Sequence, residues 1–138
     1  MGKVQILAVL TMDGCLSSEL YDKAHQDLCL DRCGLDEIRK KAFYRVTPDY
    51  SISMLHEWRK DCTNIRYLAE ATPDTADYIN GLLRMHAVDE IILYTVPFIS
   101  GSGRHFFKSA LPEQHWTLSS LKSYPNGVCR IYQIKSHH

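Results

Sequence analysis

The stretch that decides the fold is VDEIILYTVPFISGSGRHFF, Val88 to Phe107. Its first half, Glu90 to Val96, is a nearly continuous apolar run of strand length, which predicts a core strand covered on both faces. Its second half contains Gly-Ser-Gly at Gly101 to Gly103, followed by Arg104 and His105. This spacing is neither G-x-G-x-x-G nor a P-loop, and no helix pattern opens directly after it. Glycines permit close backbone approach to a ligand, so the loop is either a wall of a cleft or only a turn.

A second apolar run, Val4 to Leu10, is β-branched at Val4, Ile6 and Val9. It predicts another strand that is buried on both faces, and Asp13-Gly14 ends it. Strands covered on both faces are typical of parallel sheets. We therefore expect Val4 to Leu10 and Glu90 to Val96 to be neighbouring interior strands.

Helical spacing of apolar residues recurs three times. It predicts helices over Ser17 to Leu30 and Leu35 to Tyr44. A third helix is predicted to start at Thr72-Pro73-Asp74, where Thr72 caps, Pro73 suits the first turn and Asp74 meets the helix dipole. The residues of this helix expected to face the sheet are Ile79, Leu82, Leu83 and His86.

The remaining segments indicate strands. Tyr50 to Trp58 alternates with period two, and Asn64 to Glu70 is a further candidate. Trp116 to Ser123 and Val128 to Ile134 are predicted to form a hairpin through Pro125-Asn126-Gly127. Strands that alternate with helices before a closing hairpin predict one α/β domain over residues 1–138, with a mostly parallel sheet and an antiparallel C-terminal hairpin.

Composition limits the classes of partner. The 138 residues are 45% hydrophobic and carry 16 basic and 16 acidic side chains, so the formal net charge is zero. This balance gives no electrostatic basis for binding nucleic acid or an anionic membrane. The apolar runs are too short to cross a bilayer, and no secretion signal is recognised. Five scattered cysteines indicate reduced thiols in a cytoplasm, and Cys29 and Cys33 lack the second ligand pair that a metal site requires.

Asp13 is the main candidate binding residue. It follows a predicted central strand, and ligands of open α/β sheets gather at the carboxyl ends of strands. Its carboxylate could accept hydrogen bonds from a ligand, or Asp13-Gly14 could simply form a turn. Cys15 lies nearby, either as a reactive thiol or as a buried structural one.

Three motifs resemble the dihydrofolate reductase-like family, most closely the reductase domain of riboflavin biosynthesis. Ala8-Val9-Leu10-Thr11-Met12-Asp13-Gly14 resembles a first strand that ends in Ser-x-Asp-Gly, and Val88-Asp89-Glu90-Ile91 resembles the Val-Asp-Glu strand start. Pro97 to Phe107 resembles the Pro-x-x-x-Gly-x-Gly loop, and Asn126-Gly127-Val128 fits the last hairpin. The resemblance implies a three-layer fold. The matching motifs lie towards both ends of the chain, and the middle has no matching motif.

The resemblance also implies a function. Family members reduce a pteridine, folate or ribosylaminopyrimidine with hydride from NADPH, and the riboflavin branch forms homodimers. Asp13 would lie on the substrate side, Gly101 and Gly103 near the nicotinamide, and Thr72 at the pyrophosphate. The chain would then be an NADPH-dependent oxidoreductase of the 5-amino-6-(5-phosphoribosylamino)uracil reductase or dihydrofolate reductase type, acting on a small molecule.

The middle of the chain departs from the family pattern. Where the family has a glycine pair before the pyrophosphate helix, this chain reads Leu68-Ala69-Glu70-Ala71-Thr72-Pro73. Glu70 brings negative charge and Pro73 removes an amide donor, so we expect weakened NADPH binding. The earlier Gly-Arg-x-Thr motif also has no match. Two alternatives to an active reductase therefore stay open: a non-catalytic relative that binds a small molecule or partner in the cleft, and a structural dimer.

Overall fold

The computed structural model describes residues 2–16, 30–61, 64–101, 104–108 and 111–136. The described strands are β1 (Lys3–Leu10), β2 (Cys15–Leu16), β3 (Tyr44–Arg45), β4 (Arg66–Glu70), β5 (Glu90–Thr95), β6 (Arg104–His105), β7 (Trp116–Ser123) and β8 (Cys129–Lys135). The described α-helices are α1 (Leu35–Lys41), α2 (Ile52–Asp61) and α3 (Ala76–Arg84), and a 3-10 turn spans Leu30–Cys33.

Six strands form one sheet in the order β3-β4-β1-β5-β8-β7. β3, β4, β1 and β5 are parallel, whereas β8 runs antiparallel to β5 and pairs antiparallel with β7. The predicted neighbourhood of the two core strands is confirmed, because β1 lies between β4 and β5 with Ile6 opposite Ile91. β2 and β6 form a separate two-stranded ribbon.

Each face of the sheet has its own core, which makes three layers. Ile6 and Ala8 point to the face covered by α2 and α3, where Leu55 and Ile79 are fully buried. Leu7 and Val9 belong to the opposite core, which α1 and the 3-10 turn cover. The predicted α/β class with a mostly parallel sheet is confirmed.

The C-terminal hairpin is also confirmed. Tyr124 N donates to Val128 O (2.9 Å) and Gly127 N to Tyr124 O (3.0 Å). Gly127 has a φ of +90°, which only glycine adopts without strain. The Asn126-Gly127 pair therefore closes the turn that the sequence indicates.

The predicted strand over Tyr50 to Trp58 is wrong, because this segment is helix α2. The side-chain hydroxyl of Ser51 caps the helix by accepting from Met54 N (3.0 Å). Leu55, which period two would place with the polar residues, is fully buried, while Met54 is 48% exposed. The apolar residues Ile52, Leu55 and Trp58 are three apart, so the helical period decides the conformation.

Two helix predictions need smaller corrections. α3 begins at Ala76 after a turn over residues 73–75, four residues later than the predicted start at Thr72. Ile79, Leu82 and Leu83 face the core as predicted, but His86 is exposed, with a φ of +52°, because the helix ends at Arg84.

The end of α1 also differs from the prediction. α1 ends at Lys41, and Tyr44, predicted as its last residue, belongs to β3. The helix predicted from Ser17 lies outside the described residues, apart from Leu30 in the 3-10 turn. Within the described ranges, no helix has the length and apolar character needed to cross a membrane.

Candidate functional site at the carboxyl edge of the sheet

The Asp13 side chain sits in the turn that follows β1. Gly14 N donates to Thr11 O (2.9 Å) to close this turn. The Asp13 carboxylate accepts three hydrogen bonds, from the Thr11 hydroxyl, Ser100 N (3.1 Å) and Gly101 N (3.1 Å). These donors, the Thr11 hydroxyl first, hold the pKa of Asp13 well below its usual range. The carboxylate is therefore charged at neutral pH, and its hydrogen bonds to Ser100 N and Gly101 N fix the Gly101 loop.

The loops after β1 and β5 are also joined through their backbones. Met12 N donates to Phe98 O (2.9 Å) and Val96 N donates to Leu10 O (2.9 Å). Gly101 has a φ of +76°, and among the described residues other than its chain neighbours no heavy atom lies within 4 Å of the position that a Cβ would occupy. The Gly101 backbone thus borders open space, where a flat ligand can approach it closely. Gly103 lies outside the described residues.

The β2–β6 ribbon closes one side of this edge. Cys15 pairs with His105, and Cys15 Sγ lies 4.0 Å from His105 Nδ1. Cys15 is only 2% exposed, and the contact is long, so the interpretation as a structural thiol fits better than that of a reactive nucleophile.

Thr72 follows β4, and β4 is the neighbour of β1, so Thr72 lies on the same carboxyl edge as Asp13. The amides around it already have acceptors within the protein: Ala71 N donates to Leu7 O (2.8 Å), Thr72 N to Thr75 Oγ1 (2.8 Å), Thr75 N to Thr72 O (3.1 Å) and Ala76 N to Thr72 O (2.9 Å). Pro73 has no N–H to donate. These four amides are therefore engaged within the protein.

Glu70, the last residue of β4, is held by two arginines. Arg39 of α1 donates to its carboxylate through Nε (3.2 Å) and a second guanidinium nitrogen, and Arg45 of β3 lies 3.6 Å away. The expected repulsion of a phosphate by Glu70 is therefore reduced, because two positive charges surround it. Sequence reasoning missed this cluster. A contact between positions 31 apart leaves no sequence pattern.

Two cavities lie away from this edge. One, of about 290 Å³, lies between α2 and the β3–β4 pair and has aromatic and aliphatic walls. The other, of about 180 Å³, lies under α1 and is lined by polar and charged side chains, including Arg66 and Arg130. Among the residues that the structure describes, no three His, Cys, Asp or Glu side chains group as metal ligands.

Comparison with known proteins identifies the fold. No family model and no curated protein matches the sequence. A putative riboflavin biosynthesis protein from Shewanella sp. PV-4 superposes with a TM-score of 0.60 at 10% identity, over 98% of this chain and 99% of that one. RibD of Acinetobacter baumannii superposes with a TM-score of 0.61 at 12% identity, over 99% of this chain and 59% of its own length. This chain has the dihydrofolate reductase-like fold of the riboflavin-biosynthesis proteins.

The match confirms the resemblance of the sequence motifs at the level of the fold. A second form of the Acinetobacter RibD gives a TM-score of 0.56 at 12% identity. The chain spans 59% of the RibD length, so it corresponds to a part of that protein. The fold brings Asp13 and Gly101 into direct contact and places Thr72 on the same edge of the sheet.

Proposed function

We propose that this protein is a reductase-like protein of the riboflavin and folate type in which the grip on NADPH is weakened. The observation that carries this proposal is the bond between Asp13 and Gly101, which holds the Gly101 loop over the carboxyl edge of β1 and β5. Ligands of open α/β sheets bind at this edge. The open space beside Gly101 suits a flat ring, and the Asp13 charge favours ligand groups that donate hydrogen bonds.

The residues at Thr72 do not fit the pyrophosphate of NADPH. A pyrophosphate needs free amide donors at a helix N-terminus. Here those of Ala71, Thr72, Thr75 and Ala76 are engaged within the chain, and Pro73 has none. The two arginines that could attract a phosphate are paired with Glu70. Weak binding of NADPH is therefore part of the proposal.

Because these amides before α3 already have acceptors, a second candidate is also favoured: a non-catalytic relative that binds a small molecule in the same cleft. The two candidates share the Asp13–Gly101 edge and differ in whether NADPH binds at all.

Calorimetric titration of the purified chain with NADPH separates the candidates. We expect weak, saturable binding for the reductase-like protein, and no heat of binding for the non-catalytic relative. Tight NADPH binding by the unmodified chain would overturn the weakened grip and favour an ordinary reductase.

We further propose that the protein acts in the cytoplasm as a homodimer. The scattered cysteines support a reducing compartment. The edge strand β7 exposes Leu118 and Leu121, at 52% and 60%, which supports an apolar contact between copies. Light scattering at micromolar concentration tests the dimer, and a monomer there would contradict it.

A further inference from the structure

The cavity between α2 and the β3–β4 pair has an unusual wall. Its volume is about 290 Å³. Four aromatic rings line it, those of Tyr44, Tyr50, Trp58 and Tyr67, together with three aliphatic side chains. The register places Tyr67 opposite Val4, near the start of β1, whereas Asp13 follows the end of β1. This cavity is therefore a separate site from the carboxyl edge.

The four rings follow one another in a continuous row. Tyr44 stacks on Tyr67, with centroids 5.6 Å apart and planes inclined by 14°. Tyr67 stacks on Trp58 at 6.4 Å and 27°, and Trp58 meets Tyr50 edge-on at 5.6 Å and 75°. All four rings line the cavity, and flat aromatic molecules stack favourably on aromatic side chains.

The surrounding elements hold these rings in place. Tyr78 of α3 donates its hydroxyl to Tyr50 O at 2.8 Å. A Cβ on Gly81 of α3 would lie 3.1 Å from Ile52 Cδ1, so α2 and α3 pack closely. β3 pairs with β4, and Tyr44 lies opposite Tyr67 in the register. The cavity is thus largely formed before any ligand binds, which lowers the cost of binding.

Charge and size define the class of ligand. Among the described residues, no charged side chain lines the cavity. Arg45 and Arg59, which adjoin lining residues in the chain, are themselves paired with Glu70 and Asp89. Neither an anion nor a cation finds a counter-charge in the wall. The volume is near the lower end of the range for small-molecule pockets, about 300–1,000 Å³.

From these observations we propose that the cavity binds an uncharged, flat aromatic compound of one or two rings, stacked on the row Tyr44–Tyr67–Trp58. This site is independent of the function proposed for the carboxyl edge.

Trp58 reports directly on the site. The chain has two tryptophans, so Trp116→Phe leaves Trp58 as the sole tryptophan and serves as the parent protein. The probe is quinoxaline, a neutral two-ring heteroaromatic, and the charged probes are naphthalene-2-sulfonate and tetramethylammonium. We expect quinoxaline to quench Trp58 fluorescence saturably and both charged probes to bind much more weakly.

Adjacent residues supply matched variants. Tyr44 lines the cavity and is 47% exposed, whereas Phe43 contacts Tyr44 edge-on, is 69% exposed and does not line the cavity. Tyr44→Ala should weaken quinoxaline binding by about tenfold, since loss of one stacking partner has that effect. Phe43→Ala should stay within about twofold of the parent protein. Both side chains are exposed enough that thermal melts should show folded variants.

Several results would overturn the proposal. They are quenching that does not saturate, equal losses for Tyr44→Ala and Phe43→Ala, and tighter binding of tetramethylammonium, which would indicate an aromatic cage for cations. Concentration-dependent Trp58 emission without probe, accompanied by dimer formation in light scattering and abolished by Tyr44→Ala, would assign the cavity to a second copy instead.

Discussion

The carboxylate of Asp13 accepts a hydrogen bond from the backbone amide of Gly101 at 3.1 Å, across 88 positions of the chain. Ser100 N reaches the other carboxylate oxygen at the same distance. Asp13, which the sequence indicates as a substrate-binding residue, thus also holds the Ser100–Gly101 loop in place. Asp13 lies in a turn, and that turn lies at the carboxyl edge of the sheet, where binding residues are expected.

Asp13→Asn should loosen the Gly101 loop without unfolding the protein. The neutral amide presents one oxygen where the carboxylate presents two, so at least one loop amide loses its acceptor. Hydrogen exchange at Ser100 and Gly101 should accelerate roughly tenfold, as expected when a hydrogen bond to a charged group is lost. Asp49→Asn makes the same charge change at an exposed position and should leave the loop unaffected. Unchanged exchange in Asp13→Asn would show that the backbone bonds alone hold the loop.

The hydrogen bonds of the Asp13 carboxylate also make the stability of the protein depend on pH. Because the folded-state pKa of Asp13 is lowered, its contribution to stability is present above the unfolded pKa of about 3.9 and is lost as pH falls towards the folded pKa. The difference in melting temperature between the parent protein and Asp13→Asn should therefore be constant near neutrality and shrink below about pH 3.9. The side chain is partly exposed, so the difference should be small. A difference that grew on acidification would contradict this assignment.

Removing the Glu70 carboxylate at the end of β4 should strengthen NADPH binding. In Glu70→Gly/Ala71→Gly, Arg39 and Arg45 lose their carboxylate partner and two Cβ atoms leave the approach to the turn. Freeing one positive charge near a phosphate is expected to raise affinity by about tenfold. Calorimetry on both proteins measures the change. Glu57→Gln, an exposed acidic residue on α2, controls for net charge. Unaltered affinity in the double variant would favour the non-catalytic relative.

The sequence predicts the centre of the sheet well because burial on both faces leaves a pattern. Val4 to Leu10 and Glu90 to Val96 can satisfy continuous apolarity only as interior strands, and they pair residue by residue. The Asn126-Gly127 turn is equally local, since the positive φ of Gly127 is set by the residue type. The sequence indicates Asp13 as a candidate binding residue because it follows such a strand, and its binding role stays a prediction.

Prediction from the sequence fails where apolar residues fit both the strand period and the helix period. It also fails where a contact joins residues that are far apart in the chain. From Tyr50 to Trp58 the alternate positions are mostly apolar, and only Leu55 breaks the strand pattern. The Arg39–Glu70 pair depends on α1 lying over the end of β4, which no local pattern encodes. The aromatic row likewise joins residues from β3, β4 and α2, so it exists only after folding.

The helical assignment of α2 makes a stability prediction of its own. Leu55→Ala should lower the free energy of unfolding by about 2–5 kcal/mol, because a fully buried side chain leaves a cavity. Met54→Ala should cost less than about 1 kcal/mol, since Met54 is 48% exposed. Urea denaturation of both variants measures the two costs. A strand over Tyr50 to Trp58 would reverse them, with Met54 facing the core and Leu55 facing solvent.

The half-buried hydroxyl of Tyr132 links the antiparallel strand β8 to the parallel part of the sheet. The Tyr132 hydroxyl donates to the carboxylate of Glu90, which is 2% exposed, and accepts from Gln5 Nε2 at 2.9 Å. Burial, together with the Glu90 carboxylate, raises the pKa of Tyr132 to about 12. Tyr132→Phe leaves Glu90 and Gln5 without this partner, so the free energy of unfolding should fall by about 1–3 kcal/mol.

Tyr124→Phe is the matched control for Tyr132→Phe. The Tyr124 hydroxyl donates to Cys33 O at 2.7 Å, and the Tyr94 hydroxyl donates to the same oxygen at 2.7 Å. Its loss leaves that carbonyl satisfied and should cost only about 0.5–1.5 kcal/mol. Because the folded pKa of Tyr132 is raised, its contribution is present below the unfolded pKa of about 10 and is lost as pH rises towards about 12. Burial also raises the pKa of Tyr94 to about 12. Alkaline unfolding followed by ultraviolet absorbance should therefore show a late phase to which Tyr94 and Tyr132 both contribute. Tyr132→Phe should reduce the amplitude of this phase by one tyrosine, and Tyr124→Phe should keep both contributions. If both variants lose equal stability and the late amplitude is unchanged in Tyr132→Phe, Tyr132 does not hold Glu90 in the folded protein.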